Sequence, residues 1–273
     1  MFANVRLDVK EEEEVQYHSD IFSFNVSIST RRPDQSLGYQ NSATGSNVYR
    51  MIQKFLKNTQ VTLCGTLMYI VIKRYPNESD VSDIITQLRA NNIFAYVVVH
   101  DFPSGGNNPG TLFDMSSKTN GYCIFDHGPN FWLAASQVAY PISSPNQFIS
   151  HNYVVSGSGR IQIPAFQTPA PNSYGEQVLV AITCQNHTLD SSFISVNYTI
   201  QSLDGSWKFT GPDIGGDQGW WQEGTGIIAY PQINGSTSYT WTIDYHYANN
   251  EPQFIQARMY SYYYHDFLPL PSY

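Results

Sequence analysis

The chain of 273 residues has the composition of a folded protein with an acidic balance. Hydrophobic residues make up 41% of it and charged residues only 13%, which excludes an intrinsically disordered chain, because disorder requires few apolar and many charged residues. The net charge is −8, and residues 142–273 contain three basic side chains against nine acidic ones. Binding to nucleic acid or to an anionic membrane is therefore disfavoured, because both need clustered Lys and Arg.

The first predicted element, at residues 21–29, follows a charged lead-in at residues 1–20. Apolar residues at positions 22, 24, 26 and 28 alternate with polar ones, and this period of two predicts a β-strand. Residues 31–45 are polar and contain Pro33, Gly38 and Gly45. They predict a loop.

Residues 46–140 predict helices that alternate with strands. From Val48 to Leu56, apolar residues recur at helical spacing after two candidate caps, Ser46 and Asn47. The same criteria predict further helices at 81–92, 111–118 and 130–140, and strands at 67–72, 93–99 and 121–125. This order indicates parallel crossovers and a three-layer α/β domain over residues 21–141.

After Pro141 the pattern changes to short alternating segments separated by Gly, Pro, Asn and Asp. Seven such segments without helical periodicity predict an antiparallel β-sandwich domain over residues 142–273. The predicted strands lie at 153–163, 177–184, 193–201, 206–210, 226–230, 237–247 and 254–264. The fold class predicted is thus α/β plus all-β.

The stretch 63–125 resembles the C-terminal half of a von Willebrand factor A-type domain. The likeness lies in the buried strand at 67–72, the Ser/Asp/Glu-rich helix start at 77–80, the strand at 93–99, and the helix and strand at 112–125. The motifs Arg74-Tyr-Pro-Asn-Glu and Ser117-Lys-Thr-Asn-Gly-Tyr-Cys, followed by a β-rich tail, also resemble a nematode family of von Willebrand A-like proteins. The resemblance implies a shortened A-type domain, export from the cell, and a role in surface interaction or innate defence.

Domains of this family often hold Mg²⁺ through a D-x-S-x-S loop, and the resemblance points to Asn25, Ser27 and Ser29 as a degenerate version. A neutral amide replaces the carboxylate, and Lys73 and Arg74 stand where the family places a later Asp. Because Mg²⁺ needs hard oxygen ligands in octahedral array, we predict no functional metal site and no cofactor. The alternative is a plain strand with polar alternate positions.

The segment at residues 213–221 supplies the candidate ligand contacts. Asp213 and Asp217 lie among glycines and could surround Ca²⁺, while Trp220 and Trp221 could stack on sugar rings. The alternative is a glycine-rich hairpin loop whose tryptophans cover the end of the core.

No intact catalytic motif is present: the sequence lacks H-E-x-x-H, the nucleophile elbow and the phosphate-binding loop. We therefore predict a non-enzymatic adhesion or recognition protein that binds a protein or glycan by aromatic stacking and amide hydrogen bonds. Two alternatives stay open. One is a hydrolase that uses carboxylates such as Asp213, Asp217 and Glu223, and the other is a structural fragment of a longer secreted protein.

Five Asn-x-Ser/Thr sequons predict a secreted glycoprotein, because N-glycosylation occurs in the secretory pathway. They lie at Asn25, Asn77, Asn186, Asn197 and Asn234. Against this, residues 1–20 contain no apolar segment typical of a signal peptide. The longest apolar run, at 67–72, is too short for a transmembrane span.

Three cysteines, Cys64, Cys123 and Cys184, allow at most one internal disulfide. At least one thiol is then free or pairs between chains. Their spacing contains no C-x-x-C, which argues against a redox motif or a structural zinc site.

Overall fold

The computed structural model of the protein describes residues 1–126, 131–172, 174–211 and 220–271, with the backbone alone at 220–223. The helices described are α1 (Ile21–Thr30), α2 (Val48–Leu56), α3 (Ser82–Ala90), α4 (Gly110–Lys118) and α5 (Phe131–Ser143). The strands are β1 (Phe2–Asn4), β2 (Gln16–His18), β3 (Leu67–Ile72), β4 (Phe94–His100), β5 (Tyr122–Asp126), β6 (Asn146–Val155), β7 (Ser158–Phe166), β8 (Gly175–Gln177), β9 (Leu179–Thr183), β10 (Phe193–Ser202), β11 (Lys208–Gly211), β12 (Trp220–Glu223), β13 (Gly226–Ala229), β14 (Gln232–Asn234), β15 (Tyr239–Tyr247) and β16 (Gln253–Ser261).

Residues 21–30 form helix α1, so the predicted strand at 21–29 is wrong. Asp20 caps the helix by accepting a hydrogen bond of 2.8 Å from the backbone N–H of Ser23. The helix packs against the antiparallel pair β1–β2, where the ring of Phe24 stacks on Phe2 with centroids 5.3 Å apart. Because this cap and tertiary contact stabilise a helix, they outweigh the strand-like alternation of the sequence.

The predicted alternation of helices and strands in residues 46–126 is confirmed. Strands β3, β4 and β5 form a parallel sheet in that order. Helices α2, α3 and α4 cover one face, where Ile72, Val97 and Leu88 are buried. The strand at 67–72, identified from its sequence as buried, is only half-buried, because β3 is an edge strand that leaves Tyr69 and Val71 exposed.

Residues 146–261 contain two large antiparallel sheets, one of four strands in the order β11–β10–β15–β7 and one of five strands in the order β12–β13–β9–β16–β6. Facing side chains of the two sheets form one core around Trp241 and Ile182. The predicted segment 153–163 in fact spans the turn at Ser156 and Gly157, which joins β6 to β7.

The inner strands β13, β9 and β16 of the five-stranded sheet are buried on both faces. In β16, Ala257 and Met259 enter the core shared with the four-stranded sheet. The alternate residue Tyr260 enters a second core, together with Tyr96 of the parallel sheet and Val138 of α5. The five-stranded sheet therefore forms a middle layer between the α/β part and the four-stranded sheet.

Side chains of this middle layer close the outer edge of β5. The backbone N–H of Cys123 donates to Gln256 Oε1 (3.1 Å), and Thr183 Oγ1 donates to the carbonyl of Cys123 (2.6 Å). The N–H of Phe125 donates to Thr225 Oγ1 (2.9 Å), and its carbonyl accepts from the N–H of Thr225 (2.9 Å). Buried backbone groups that a neighbouring strand would satisfy are thus satisfied by three polar side chains and by the backbone N–H of Thr225.

Arg258 adds a buried cation to the same contact. Its Nε donates to the carbonyl of Gly121 (2.8 Å), and its two terminal nitrogens donate to the carbonyl of His151 (2.6 Å) and to Asn152 Oδ1 (2.6 Å). Burial lowers the pKa of Arg258 to about 10, because desolvation disfavours the charged form. The guanidinium connects the start of β5 to β6.

Candidate ligand-binding site

A cavity of about 310 Å³ lies between the β10–β11 turn and the β8–β14 strand pair. This volume is at the lower end of the range typical of small-molecule sites. Apart from the aliphatic Ile233, the lining residues carry hydroxyl, amide, aromatic or small side chains, namely Gly175, Ser202, Ser206, Trp207, Gln232, Asn234, Thr237 and Tyr239. No formally charged side chain is among them.

The β10–β11 turn places Trp207 at the cavity. Gly205 takes the left-handed backbone conformation (φ 73°) that the turn requires. Asp204 Oδ1 accepts a hydrogen bond from the N–H of Ser206 (3.0 Å), and this bond with its neighbours lowers the pKa of Asp204 to about 2. The N–H of Trp207 donates to Ser202 Oγ (2.9 Å), and its carbonyl accepts from the N–H of Ser202 (3.0 Å). These bonds fix the backbone on both sides of the indole.

Neighbouring rings fix the orientation of the half-buried Trp207 side chain. Its plane is within 11° of that of Phe209, with centroids 6.3 Å apart. It meets Tyr239 edge-on at 86° and 5.6 Å. The hydroxyl of Tyr239 accepts a hydrogen bond from the backbone N–H of Asn234 (2.6 Å). Tyr239 therefore contacts both the indole of Trp207 and the end of β14 that lines the cavity.

Uncharged polar groups complete the wall. The side-chain oxygen of Asn234 accepts from the N–H and the hydroxyl of Ser236 (3.0 and 2.9 Å), which uses its acceptor and leaves the Nδ2 donor. Within the described part of the chain, the Gln232 amide and the Thr237 hydroxyl have no hydrogen-bond partner. The site therefore offers donors and acceptors beside an aromatic surface.

The ligand contacts predicted from sequence fall outside the side chains that the structure describes. Asp213 and Asp217 are outside the described residues, and so are the side chains of Trp220, Trp221 and Glu223. Trp220 and Trp221 belong to β12, at the edge of the five-stranded sheet. Their proposed contacts stay a prediction.

The candidate metal residues Asn25, Ser27 and Ser29 lie on helix α1. Successive helical residues turn by about 100°, so Ser27 lies on the opposite side of the helix from Asn25 and Ser29. The three oxygens therefore do not converge on one ion. Among the described residues, no group of three or more His, Cys, Asp and Glu side chains is placed to hold a metal.

Arg74, which stands where the resemblance places an Asp, has a structural role that the sequence did not indicate. The side chain is buried, and its guanidinium donates to the carbonyls of Tyr39 (2.9 Å), Asn41 (2.9 Å) and Thr44 (2.6 Å). These bonds attach the loop before α2 to the end of β3. The neighbouring Lys73 is exposed.

The sequons differ in exposure. Asn25, Asn77 and Asn197 are exposed, whereas Asn186 and Asn234 are partly buried. Asn234 also lines the cavity, so a glycan attached there would occupy the site. Glycosylation at all five positions stays a prediction.

All three cysteines are free in the structure. The side chain of Cys64 is exposed, and those of Cys123 and Cys184 are buried. Burial raises the pKa of both buried thiols, because it disfavours the thiolate. Neither buried cysteine is therefore a reactive nucleophile.

Sequence reasoning missed Trp207. The signal was the Asp204-Gly205 pair between two alternating segments, which is typical of a tight hairpin turn, with a tryptophan two residues later. The cavity also needs Gln232, Asn234 and Thr237, which come from a segment about 30 residues further along the chain. No local pattern connects the two.

Comparison with known proteins finds a match to a domain family and similarities to several solved structures. Residues 151–262 match a family described as a domain of unknown function, DUF7154. A solved structure of a von Willebrand factor type A protein from Catenulispora acidiphila is 8% identical, with a TM-score of 0.33, and the match covers 91% of this chain and 44% of that chain. A TM-score of this size carries no argument about fold or function, and nothing in the comparisons supports the finer resemblance to a nematode family.

The search of curated proteins found no match. No helix among the described residues is long and apolar enough to cross a membrane.

Proposed function

We propose that this chain is a non-enzymatic recognition protein that binds a neutral saccharide in the cavity at Trp207. The observation that carries the proposal is an indole fixed by its neighbours beside uncharged amide and hydroxyl groups. A sugar presents C–H groups that stack on an aromatic ring and hydroxyls that both donate and accept hydrogen bonds. The site matches both properties.

The charges around the site favour a neutral ligand over an anionic one. Arg258 is fully buried, and Arg160 is paired with Asp244 through bonds of 2.5 and 3.0 Å. Lys208, the first residue of β11, is exposed, and it points to the opposite face of the strand from Phe209, the ring that stacks on Trp207. The Asp204 carboxylate in the adjoining turn is ionised at neutral pH, and it disfavours a second negative charge nearby.

The wider proposal keeps three predictions together. The two antiparallel sheets form a β-sandwich over 142–273, residues 21–141 form a shortened A-type domain, and the protein is exported. Support for export comes from the exposed sequons at Asn25, Asn77 and Asn197, and saccharide binding in the cavity requires that Asn234 carries no glycan. Removal of N-glycans from protein of the native source tests this part, because an exported glycoprotein gains electrophoretic mobility and an unglycosylated chain does not.

Calorimetric titration of bacterially expressed protein against neutral oligosaccharides tests the binding site. Bacterial expression keeps Asn234 free of an N-glycan. We expect Trp207→Ala to weaken binding about tenfold or more, equivalent to about 1.4 kcal/mol, and Trp207→Phe to lose less because it keeps an aromatic surface.

The matched control is Trp132→Ala, which removes an exposed tryptophan on α5, away from the cavity. The control should bind like the wild type. A wild type that binds no neutral saccharide, or an equal loss in both alanine variants, would refute the proposal.

A further inference from the structure

The two edges of the parallel sheet differ. The outer edge of β5 is closed by side chains, whereas β3 has an open edge. The N–H of Phe94 donates to the carbonyl of Thr66 (3.0 Å). Because backbone groups alternate in direction along a strand, those of Leu67, Tyr69 and Val71 point away from β4. In the ranges that the structure covers, these outward groups have no backbone or side-chain partner.

Apolar surface flanks this open edge. Tyr69 is 37% exposed and Val71 is 43% exposed. The hydroxyl of Tyr69 donates to the carbonyl of Ala135 on α5. Trp132, one helical turn earlier, is 64% exposed. Tyr69, Val71 and Trp132 therefore place uncharged, largely apolar surface beside the unpaired backbone groups of β3.

We propose that a second copy of this chain pairs with β3, antiparallel and about a two-fold axis through Tyr69. In this register, Leu67 faces the partner subunit's Val71, and Tyr69 faces the partner subunit's Tyr69. Every outward-pointing residue then meets another outward-pointing residue, and each opposed pair exchanges two backbone hydrogen bonds. The two three-stranded sheets become one continuous sheet.

The composition of β3 favours self-pairing. The segment Leu-Met-Tyr-Ile-Val-Ile contains no charged residue, no proline and no bulge, which are the devices that prevent pairing at edge strands. Two copies therefore meet without repulsion between like charges. A two-fold interface uses the same surface on both subunits, so one self-complementary strand is sufficient to form it.

Sedimentation analysis of the full chain across a range of concentrations tests the proposal. The wild type should form a dimer of 30.9 kDa subunits. Val71→Pro should be monomeric, because proline removes an N–H that points away from β4 and leaves the β3–β4 ladder intact. Val71→Lys should also be monomeric, because it places a charge opposite the partner subunit's Leu67 in an apolar interface.

The matched control is Val154→Lys, which adds the same charge to β6, the edge strand of the five-stranded sheet, where Val154 is 66% exposed. The control should remain dimeric. A wild type that is monomeric throughout the range, or Val71 variants that stay dimeric, would overturn the proposal.

Hydrogen exchange in the wild type gives a measurement that does not depend on how the variants fold. The amides of Tyr69 and Val71 should exchange at least tenfold more slowly in concentrated than in dilute solution. Equal rates at both concentrations would contradict pairing at β3. If the protein is monomeric and its β3 amides become protected only when an extended peptide is added, the proposal of self-pairing is overturned and the edge binds a peptide instead.

Discussion

The bond between the N–H of Phe125 and Thr225 Oγ1 offers a direct measure of how the middle sheet supports β5. Thr225 is 0% exposed and Phe125 is 1% exposed, and the bond is 2.9 Å long. Thr225→Val keeps the shape of the side chain but removes the acceptor. A buried donor without a partner costs about 1–3 kcal/mol, so the free energy of unfolding should fall by about that amount.

Urea denaturation compares this variant with two controls. Thr225→Ser keeps the hydroxyl and should lose less stability. Thr210→Val makes the same chemical change at an exposed position of β11, and should stay within about 0.5 kcal/mol of the wild type. The Phe125 amide should also exchange faster in Thr225→Val. If Thr225→Val is as stable as Thr210→Val, the hydrogen bond between Thr225 and the edge of β5 does not stabilise the fold, and the reasoning is refuted.

Two further predictions concern titratable groups. A thiol reagent should label one cysteine per native chain, Cys64, and all three cysteines in denaturant; labelling of a buried thiol at the rate of Cys64 would contradict the structure. Burial raises the pKa of Tyr75 and of Tyr260 to about 12. The stability that their protonated side chains contribute is therefore fully present below about pH 10, the pKa of an exposed tyrosine, and is lost as the pH rises to about 12. The lowered pKa of Arg258 acts in the opposite sense and offsets part of this loss. Absorbance at 295 nm should therefore show phenolate formation together with unfolding, and a folded chain that titrates every tyrosine near pH 10 would disprove this.

Local periodicity was sufficient for the alternating helices and strands of residues 46–126. Helix α2 and strand β4 differ from their predicted bounds by no more than one residue. Apolar residues at helical spacing identify the first, and an uninterrupted apolar run identifies the second. The parallel arrangement followed because a strand–helix–strand alternation leaves few other topologies.

The failures have a common cause, which is contact between residues distant in sequence. Residues 21–30 alternate like a strand, yet the Asp20 cap and the ring of Phe2 stabilise a helix. The start of β6 at Asn146 was missed because its pairing with β16 joins residues more than 90 positions apart. The cavity at Trp207 was missed for the same reason, since its amide groups come from β14 and the loop after it.

The residues that close the edge of β5 show a further limit of predicting burial from residue polarity. Gln256 and Thr183 occupy strand positions where a polar side chain usually indicates exposure to solvent. In the structure both are fully buried, because they complete the hydrogen bonds of a strand in another sheet. At these two positions a polar residue in a strand is therefore not a sign of exposure.

The burial of β16 on both faces limits the substitutions that this strand can accept. An ordinary surface strand has alternate positions where a substitution meets only water. In β16 the run from Ile255 to Ser261 is buried at every position, so each substitution there disturbs either the core around Trp241 or the contact with β5. A substitution at an odd-numbered residue weakens the packing between the two antiparallel sheets, and one at an even-numbered residue weakens the packing against the parallel sheet. No position in this run faces solvent.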